Sequence, residues 1–462
     1  MSTLLLTPTD TLYFKDGRPM SGALAGHTAA WPAPHVVNAA LHAALHRAGV
    51  ASHAHHSGNY RTRDYSNDSA RDQKYGSLKT AGPFPVSPDG SWHFPTPADL
   101  AVEDEKSGAP KNAIVACEIA KVERGTSSLP EPLTHAPTST LPPSKEGRPP
   151  EWLSGKSFKD YLEGKEIPLS ENFLKEDQIS DIEARIGIGI DAATGSQDGE
   201  QFYSAQTLRL RDKWHLGVVA EAEDKDAGDL MEKLLAAENH IVIGGQQRLC
   251  SVERMPEGAS RPLCKLPHGL SAHADFFVEI DDGFAHEKYA KWRVKWVLLT
   301  PAIFPELKNH KGGWLPNWID EKTGAVRLKA GDTERRPGEP RDVWRERVKN
   351  LPEIGALPAG NPGAPPAARL VAAIIGKPQV VTGWALGDAT GGGTKTTGAK
   401  PAQFAVPAGS IYYFTCDTAE AAGQLAAALN WHGKDPGGAK ILNRRSTLLG
   451  EKGYGLGVCG TW

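Results

Sequence analysis

The loop KDGRPMSG at 15–22 carries Lys15, Asp16, Arg18 and Pro19 between an extended start and a strongly amphipathic helix. Glycine and proline breakpoints expose backbone N–H groups, and two cations at a helix approach suit a phosphate. A surface strand-to-helix connection with ordinary turn chemistry accounts for the same residues. His42 and His46 stand at i and i+4, as two metal ligands on one helix face would, and His53, His55 and His56 follow. No HExxH glutamate accompanies them, and the spacing alone establishes neither a metal site nor a general acid or base for RNA cleavage. Tyr60, Arg61, Arg63, Tyr65, Arg71, Lys74, Tyr75 and Lys79 interleave aromatics with cations, the pairing of a single-stranded nucleic-acid surface, while Asp64, Asp68 and Asp72 dilute the charge.

Toward the C-terminal end, RRSTLLGEKGYGLGVCG sets Arg444, Arg445 and Lys452 among glycines at 450, 453, 455, 457 and 460. That density lets another backbone approach closely. A dinucleotide fingerprint would need a strand before it and a helix after it, and here residues 455–460 have no helix to follow. No Walker A motif, no GxSxG elbow and no paired carboxylates with supporting context occur, which argues against NTPase, hydrolase and glycosidase chemistry.

At 462 residues the chain exceeds the usual size of one core, so two domains are expected. Charged residues at 23%, hydrophobic residues at 39% and a formal charge of −3 place it among globular proteins, and only a local patch has to be positive for nucleic acid. The five cysteines show no CxxC spacing, so neither a disulfide framework nor a zinc knuckle is indicated, and a reducing cytoplasm is expected. The start MSTLLLTPTD lacks a basic region and a long apolar core, and no membrane association or cofactor is expected.

The elements divide into two halves with one order, strand, helix, strand, strand, helix, strand: an α+β chain of two ferredoxin-like (RRM-like, βαββαβ) domains, 1–255 and 256–462. In the first half, 4–6 and 13–14 open a strand, and Val37, Leu41, Leu45 and Ala48 mark a helix face, with Asn38, His42 and His46 on another. Residues 182–191 and 202–220 read as a hairpin supplying the second and third strands. A short helix around Leu230, Leu234 and Ala237 and the run IVIGGQQRLCSVE close the unit. Residues from about 50 to 181, with the proline-dense LPEPLTHAPTSTLPPSKEGRPP, read as a large insertion outside the core.

The second half begins with a clear strand, where Trp292, Val294, Trp296 and Leu298 share a core face and Lys291, Arg293 and Lys295 a wet, basic one. A helix at 367–375, strands at 379–385 and 409–416, a helix at 417–430 opened by Asp417 and Glu420 at capping-box spacing, and a final strand at 454–460 complete it. The glycine-rich 387–400 reads as a loop that a ligand could order.

Several segments in this order resemble a known family: LTPTDTLYFKDGRPM, GPFPVSPDGSWHFPTPADL, RIGIGIDAATGSQDGEQFYSAQTLRL, IVIGGQQR, GKPQVVTGWAL, AVPAGSIYYF and GEKGYGLGVCG. Together they resemble the Cmr3-like family, the repeat-tag-binding RAMP subunit of the type III-B CRISPR effector, the Cmr complex. The resemblance implies two RRM-like domains, a glycine-rich loop in the C-terminal one, and a non-catalytic subunit. It implies binding of the 5′ repeat-derived tag of CRISPR RNA (crRNA) at the base of the complex. It implies as partners the large polymerase-like subunit and the first backbone RAMP subunit. Lys15, Asp16, Arg18 and Pro19 match the family's N-terminal loop, Gly244, Gly245 and Arg248 its central glycine motif, and Lys452, Gly453, Tyr454 and Gly455 its terminal glycine loop. The helix reads NAALHAALHR where the family often has a basic residue, so His42 or Arg47 could stand in for an RNA-touching arginine, or that contact could be absent. The alternatives are a metal-independent RAMP endoribonuclease that processes CRISPR RNA, a purely structural subunit without RNA contact, and a related type III-D subunit.

Overall fold

The opening apolar run alternates, so Leu4 and Leu6 enter one core while Leu5 packs against another, and it forms β1 (Ser2–Pro8). In the computed structural model the described residues are 1–15, 25–26, 28–49, 78–102, 114–123, 128–138, 149–164, 172–224, 228–255, 292–333, 336, 338–356, 366–385, 398–399, 401–434 and 440–462. Next comes α1 (Pro34–Arg47), with proline in its first turn, where its missing N–H is no loss, and Val37, Leu41 and Leu45 fully buried. After it come β2 (Lys79–Val86), α2 (Gly155–Leu162), β3 (Ser180–Ile190), β4 (Gln197–Leu210) and β5 (His215–Glu221). Then α3 (Leu230–Ala237), capped by Asp229 accepting from the Met231 N–H at 2.8 Å, leads to β6 (His240–Ile243) and β7 (Arg248–Arg254). The first sheet runs β6-β7-β1-β5-β2 with every neighbouring pair antiparallel.

Beyond it lie β8 (Trp292–Leu298), α4 (Arg341–Lys349), β9 (Ala368–Ile374), β10 (Ile411–Cys416), α5 (Ala419–Leu429) and β11 (Gly457–Gly460). The second sheet runs β9-β10-β8-β11, also antiparallel throughout. Helices and antiparallel sheets occupy separate layers, an α+β architecture. One core lies between the first sheet and α1 and α3, and a second between the other sheet and α5 together with the irregular 302–354. Between the two sheets is a third, where Phe84, Val86 and Val219 of one meet Val297, Val371, Tyr413 and Val458 of the other, with Trp92, Phe94, Leu153, Phe158 and Tyr161 filling the gap. Among the described residues no helix is long and apolar enough to cross a membrane.

Several expectations are corrected. The second strand of the first sheet is β2, from within the expected insertion, and not 182–191. Its Pro83 and Pro85 disguised it, yet β2 is an edge strand whose register shifts opposite Gly217 and Val219, where missing N–H groups are tolerated. Residues 202–220 are two strands, broken at a turn where the Trp214 N–H donates to Arg211 and Lys213 takes φ 61°. Residues 367–375 are strand β9, because a short apolar run buried on both faces has no period that separates strand from helix. The 379–385 stretch forms two short pieces in separate two-stranded ladders, paired with 403–405 and 398–399. Thr418 caps α5, its hydroxyl accepting from the Ala421 N–H at 3.1 Å, rather than Asp417. The final strand begins at Gly457. Asn38 is buried, donating to the Thr80 hydroxyl at 3.2 Å.

Of the face of β8 expected to be wet, Lys291 lies outside the described residues, Arg293 is half-buried, and Lys295 is buried. Lys295 is 5% exposed, its ammonium 3.5 Å from the centre of the Tyr161 ring and 3.4 Å from the Tyr161 carbonyl. Asp99 lies beside it, accepting from the Tyr161 hydroxyl at 2.8 Å and from the Tyr413 hydroxyl at 2.9 Å. Burial pushes the Lys295 ammonium from 10.5 down to about 8, with Asp99 opposing the shift.

Between those values the unfolded chain holds a proton that the native chain has lost, so the lysine's contribution to stability rises with pH. Buried Cys250, Cys416 and Cys459 are pushed up by burial and pull the other way above their ordinary value of 9. The signature is therefore a difference: in urea titrations at stepped pH, wild type gains stability relative to Lys295→Met from about pH 8 upward. A flat difference would sink the assignment.

Candidate nucleic-acid interface

Residues 9–15 run from the end of β1 between two other elements. On one side Leu12 bridges Leu208 of β4, Lys15 bridges Thr28, and the short Ala25–Gly26 strand pairs in parallel with Ser204 and Ala205 of β4. The loop that leaves at Lys15 and returns at Ala25 is thus stitched at its base to the β3–β4 hairpin. On the other side the β6–β7 turn closes on Tyr13, whose carbonyl accepts from the Gly245 N–H at 2.9 Å. Gly244 takes φ +71°, and a Cβ there would lie 2.5 Å from the Tyr13 oxygen, while one on Gly245 would lie 2.7 Å from the Tyr13 ring. Gln246 and Gln247 follow at φ 57° and 52°, in the left-handed region where side chains are strained. The glycine pair is what allows the turn to press against the root of the N-terminal loop.

Charged groups converge on Asp10. Its carboxylate lies 3.0 Å from Arg209 of β4, 3.2 Å from Arg248 of β7 and 3.5 Å from Arg185 of β3. Glu183 completes the group, bonded to the Nε of Arg209 and 3.6 Å from Arg185. The Thr11 N–H, followed by the Arg209 and Arg185 guanidiniums, holds the Asp10 carboxyl below its ordinary range, and Arg209 does the same for Glu183. Three cations against two anions leave this surface net positive. On the opposite face of β3, Ile182, Ile186, Ile188 and Ile190 are 48–70% exposed, an apolar stripe on the outer strand of its sheet.

The structure brings together three of the sequence-predicted groups: Lys15, which is exposed, the glycine pair Gly244 and Gly245, and Arg248. Asp16, Arg18 and Pro19 lie outside the described residues, as do His53, His55, His56 and the interleaved stretch at 60–75. The terminal glycine loop has other partners. Gly453 takes φ +87°, with Thr80 and Pro34 where a Cβ would go, and the neighbouring Lys452 is half-buried. Tyr454 is fully buried with its hydroxyl 2.7 Å from His35 Nδ1. Gly455 presses on Ser446. These residues face the root of α1, so Tyr454 has no free ring face for a base. Arg445 donates to the Ala428 carbonyl at 2.6 Å and caps the C-terminal end of α5. Arg47 donates to Glu238 at 2.8 Å and to the His240 carbonyl at 2.8 Å, which ties α1 to the α3–β6 connection. Lys79 pairs with Glu221 at 2.9 Å. His42 and His46 place their rings 5.0 Å apart, and among the described residues no three metal-ligating side chains cluster.

Sequence reasoning missed Asp10, Arg185 and Arg209. The signal for Arg185 was available in Asp181, Glu183 and Arg185 alternating with isoleucines along β3, the mark of a strand with one charged face. Nothing local joined that strand to Asp10.

A family model described as CRISPR-associated protein (Cas_Cmr3) matches residues 4–462. No curated protein matches the chain. Among solved structures, a chain of the type III-B Cmr-beta complex bound to cognate target RNA and AMPPnP is 14% identical over 89% of this chain and 86% of its own, with a TM-score of 0.38. A chain of the Csm3-Csm4 subcomplex of the type III-A CRISPR-Cas interference complex is 13% identical over 90% and 94%, with a TM-score of 0.31. One from a Csm1-Csm4 cassette in complex with pppApA is 9% identical over 66% and 77%, with a TM-score of 0.28.

The turn makes a local prediction. Gly244→Ala forces a methyl against the Tyr13 carbonyl at positive φ and lowers stability by about 1–3 kcal/mol, whereas Gln246→Gly relieves strain and costs nothing or stabilises. Urea denaturation of the two variants checks the pair, and equal effects would contradict the packing role of Gly244.

Proposed function

The chain belongs to the CRISPR-associated Cas_Cmr3 family across residues 4–462, and on that membership we propose that it is a subunit of a type III-B RNA-guided effector complex that binds the 5′ repeat-derived tag of crRNA. The family match carries the reading. We further infer two ferredoxin-like halves, 1–255 and 256–462. In each sheet four strands stand in the spatial order fourth, first, third, second by chain position, as β7-β1-β5-β2 and as β11-β8-β10-β9, which supports a βαββαβ unit in each. In the second half irregular chain replaces the first crossover helix in the core, since α4 buries none of its residues.

The tag, being short and single-stranded, is held through its backbone. Cations and loop N–H groups at the N-terminal loop and the β6–β7 turn meet phosphates, and affinity falls as salt rises. The subunit performs no chemistry on the RNA and sits at the base of the complex against the large polymerase-like subunit and the first backbone subunit. The buried tyrosine of the terminal glycine loop acts within the frame, by fixing the root of α1.

Two measurements test the reading. Arg18→Ala weakens binding of tag RNA by the assembled complex several-fold with the fold intact, and unchanged affinity would refute the loop's role. Purified protein leaves labelled CRISPR RNA intact with or without divalent metal. Reproducible cleavage that disappears in His42→Ala or His46→Ala would instead favour the endoribonuclease alternative.

A further inference from the structure

We propose that Arg185, Arg209 and Arg248 form a phosphodiester-binding cluster in which the Asp10 carboxylate is a resident stand-in that yields its place to a backbone phosphate of single-stranded RNA. The proposal deepens the RNA-binding reading above and rests on it. Three guanidiniums from three strands aim at one carboxylate, at 3.0, 3.2 and 3.5 Å. An arginine fork matches a phosphate as well as a carboxylate, so a site built for one anion accepts the other.

The cluster is reachable and only partly satisfied. The side chains of Arg185, Arg209 and Asp10 are 42%, 43% and 44% exposed. Ion pairs so exposed are weak and screened, so a phosphate can compete with the carboxylate. Within the set, Glu183 already neutralises one cation through Arg209 and Arg185. With Asp10 turned aside the remaining charge is three cations against one anion, enough for the single charge of a phosphodiester. Arg248 also has a buried Nε with no hydrogen-bond partner, so the intrachain anions do not use all of its donors.

Position gives the second argument. Arg185 stands opposite Ala205 in the β3–β4 ladder, and Ala205 pairs in turn with Gly26 at the return of the N-terminal loop. Arg248 leaves the β6–β7 turn that presses on Tyr13 at the loop's departure. A strand of RNA meeting the base of that loop, at Lys15 and Ala25–Gly26, therefore passes the cluster.

The test measures fluorescence anisotropy of a labelled short single-stranded RNA titrated with the full chain over a salt series. Asp10→Asn should tighten binding several-fold and steepen the dependence of log affinity on log salt by about 0.7, one added phosphate contact. Arg185→Gln and Arg209→Gln should weaken binding several-fold and flatten the slope by a similar amount. Tag RNA and an RNA of unrelated sequence should respond alike, since phosphates carry no sequence. An Asp10→Asn protein with wild-type melting but unchanged or weaker affinity would overturn the proposal, and so would a gain confined to the tag sequence. If Asp10→Asn does not fold, Arg185→Gln, on the outer strand β3, decides alone, and unchanged affinity rejects the cluster. If wild type binds RNA and no variant differs, the cluster fails while the RNA-binding reading stands. If wild type binds no RNA, both fail.

Discussion

Back-to-back packing of the two sheets is the constraint on which the rest of the molecule depends. Each sheet is covered on both faces, so neither behaves as an antiparallel platform with a solvated back. Each large apolar side chain buried in the shared middle layer contributes about 1.5–3 kcal/mol, and residues of the 92–173 stretch supply much of that filling. The polar groups trapped there have to satisfy one another. Asp99 takes two tyrosine hydroxyls, and Lys295 lies over an aromatic ring beside it, which offsets part of the desolvation that a buried charge costs.

The same constraint explains the glycines of the C-terminal segment. A Cβ on Gly457 would sit 2.2 Å from the Trp296 indole nitrogen, and one on Gly460 would sit 2.7 Å from the Leu162 carbonyl. β11 can join the sheet only because these positions have no side chain. Gly453 and Tyr454 extend the contact to Thr80, Pro34 and His35, so a segment near residue 454 holds the start of α1 in the other half of the chain. The glycine density that lets another backbone approach closely thus serves here as a fastening between distant parts of the chain.

The candidate interface is assembled from segments at 10–15, 183–209 and 244–248, each of which is weak alone. The glycine turn lets one backbone press on another, and the hairpin stitches the loop's base. The arginines then gather around the carboxylate that the end of β1 delivers. Its electrostatics follow from this frame: exposed ion pairs that are individually marginal become a directed cluster because three strands fix their spacing.

The sequence by itself determined the amphipathic α1 from Val37, Leu41 and Leu45, the alternation of β8 at Trp292, Val294, Trp296 and Leu298, the β3–β4 hairpin and the family. All of these rest on local period or on ordered motifs. Only the tertiary structure decided that the proline-bearing 79–86 is a sheet strand, that 368–374 is a strand and not a helix, and that Lys295 is buried. It also decided that Asp10 meets arginines some two hundred residues away. The physical reason is that periodicity reports which side of an element is apolar, whereas edge position, two-sided burial and long-range charge pairing depend on what packs against it. No residue carries that information alone.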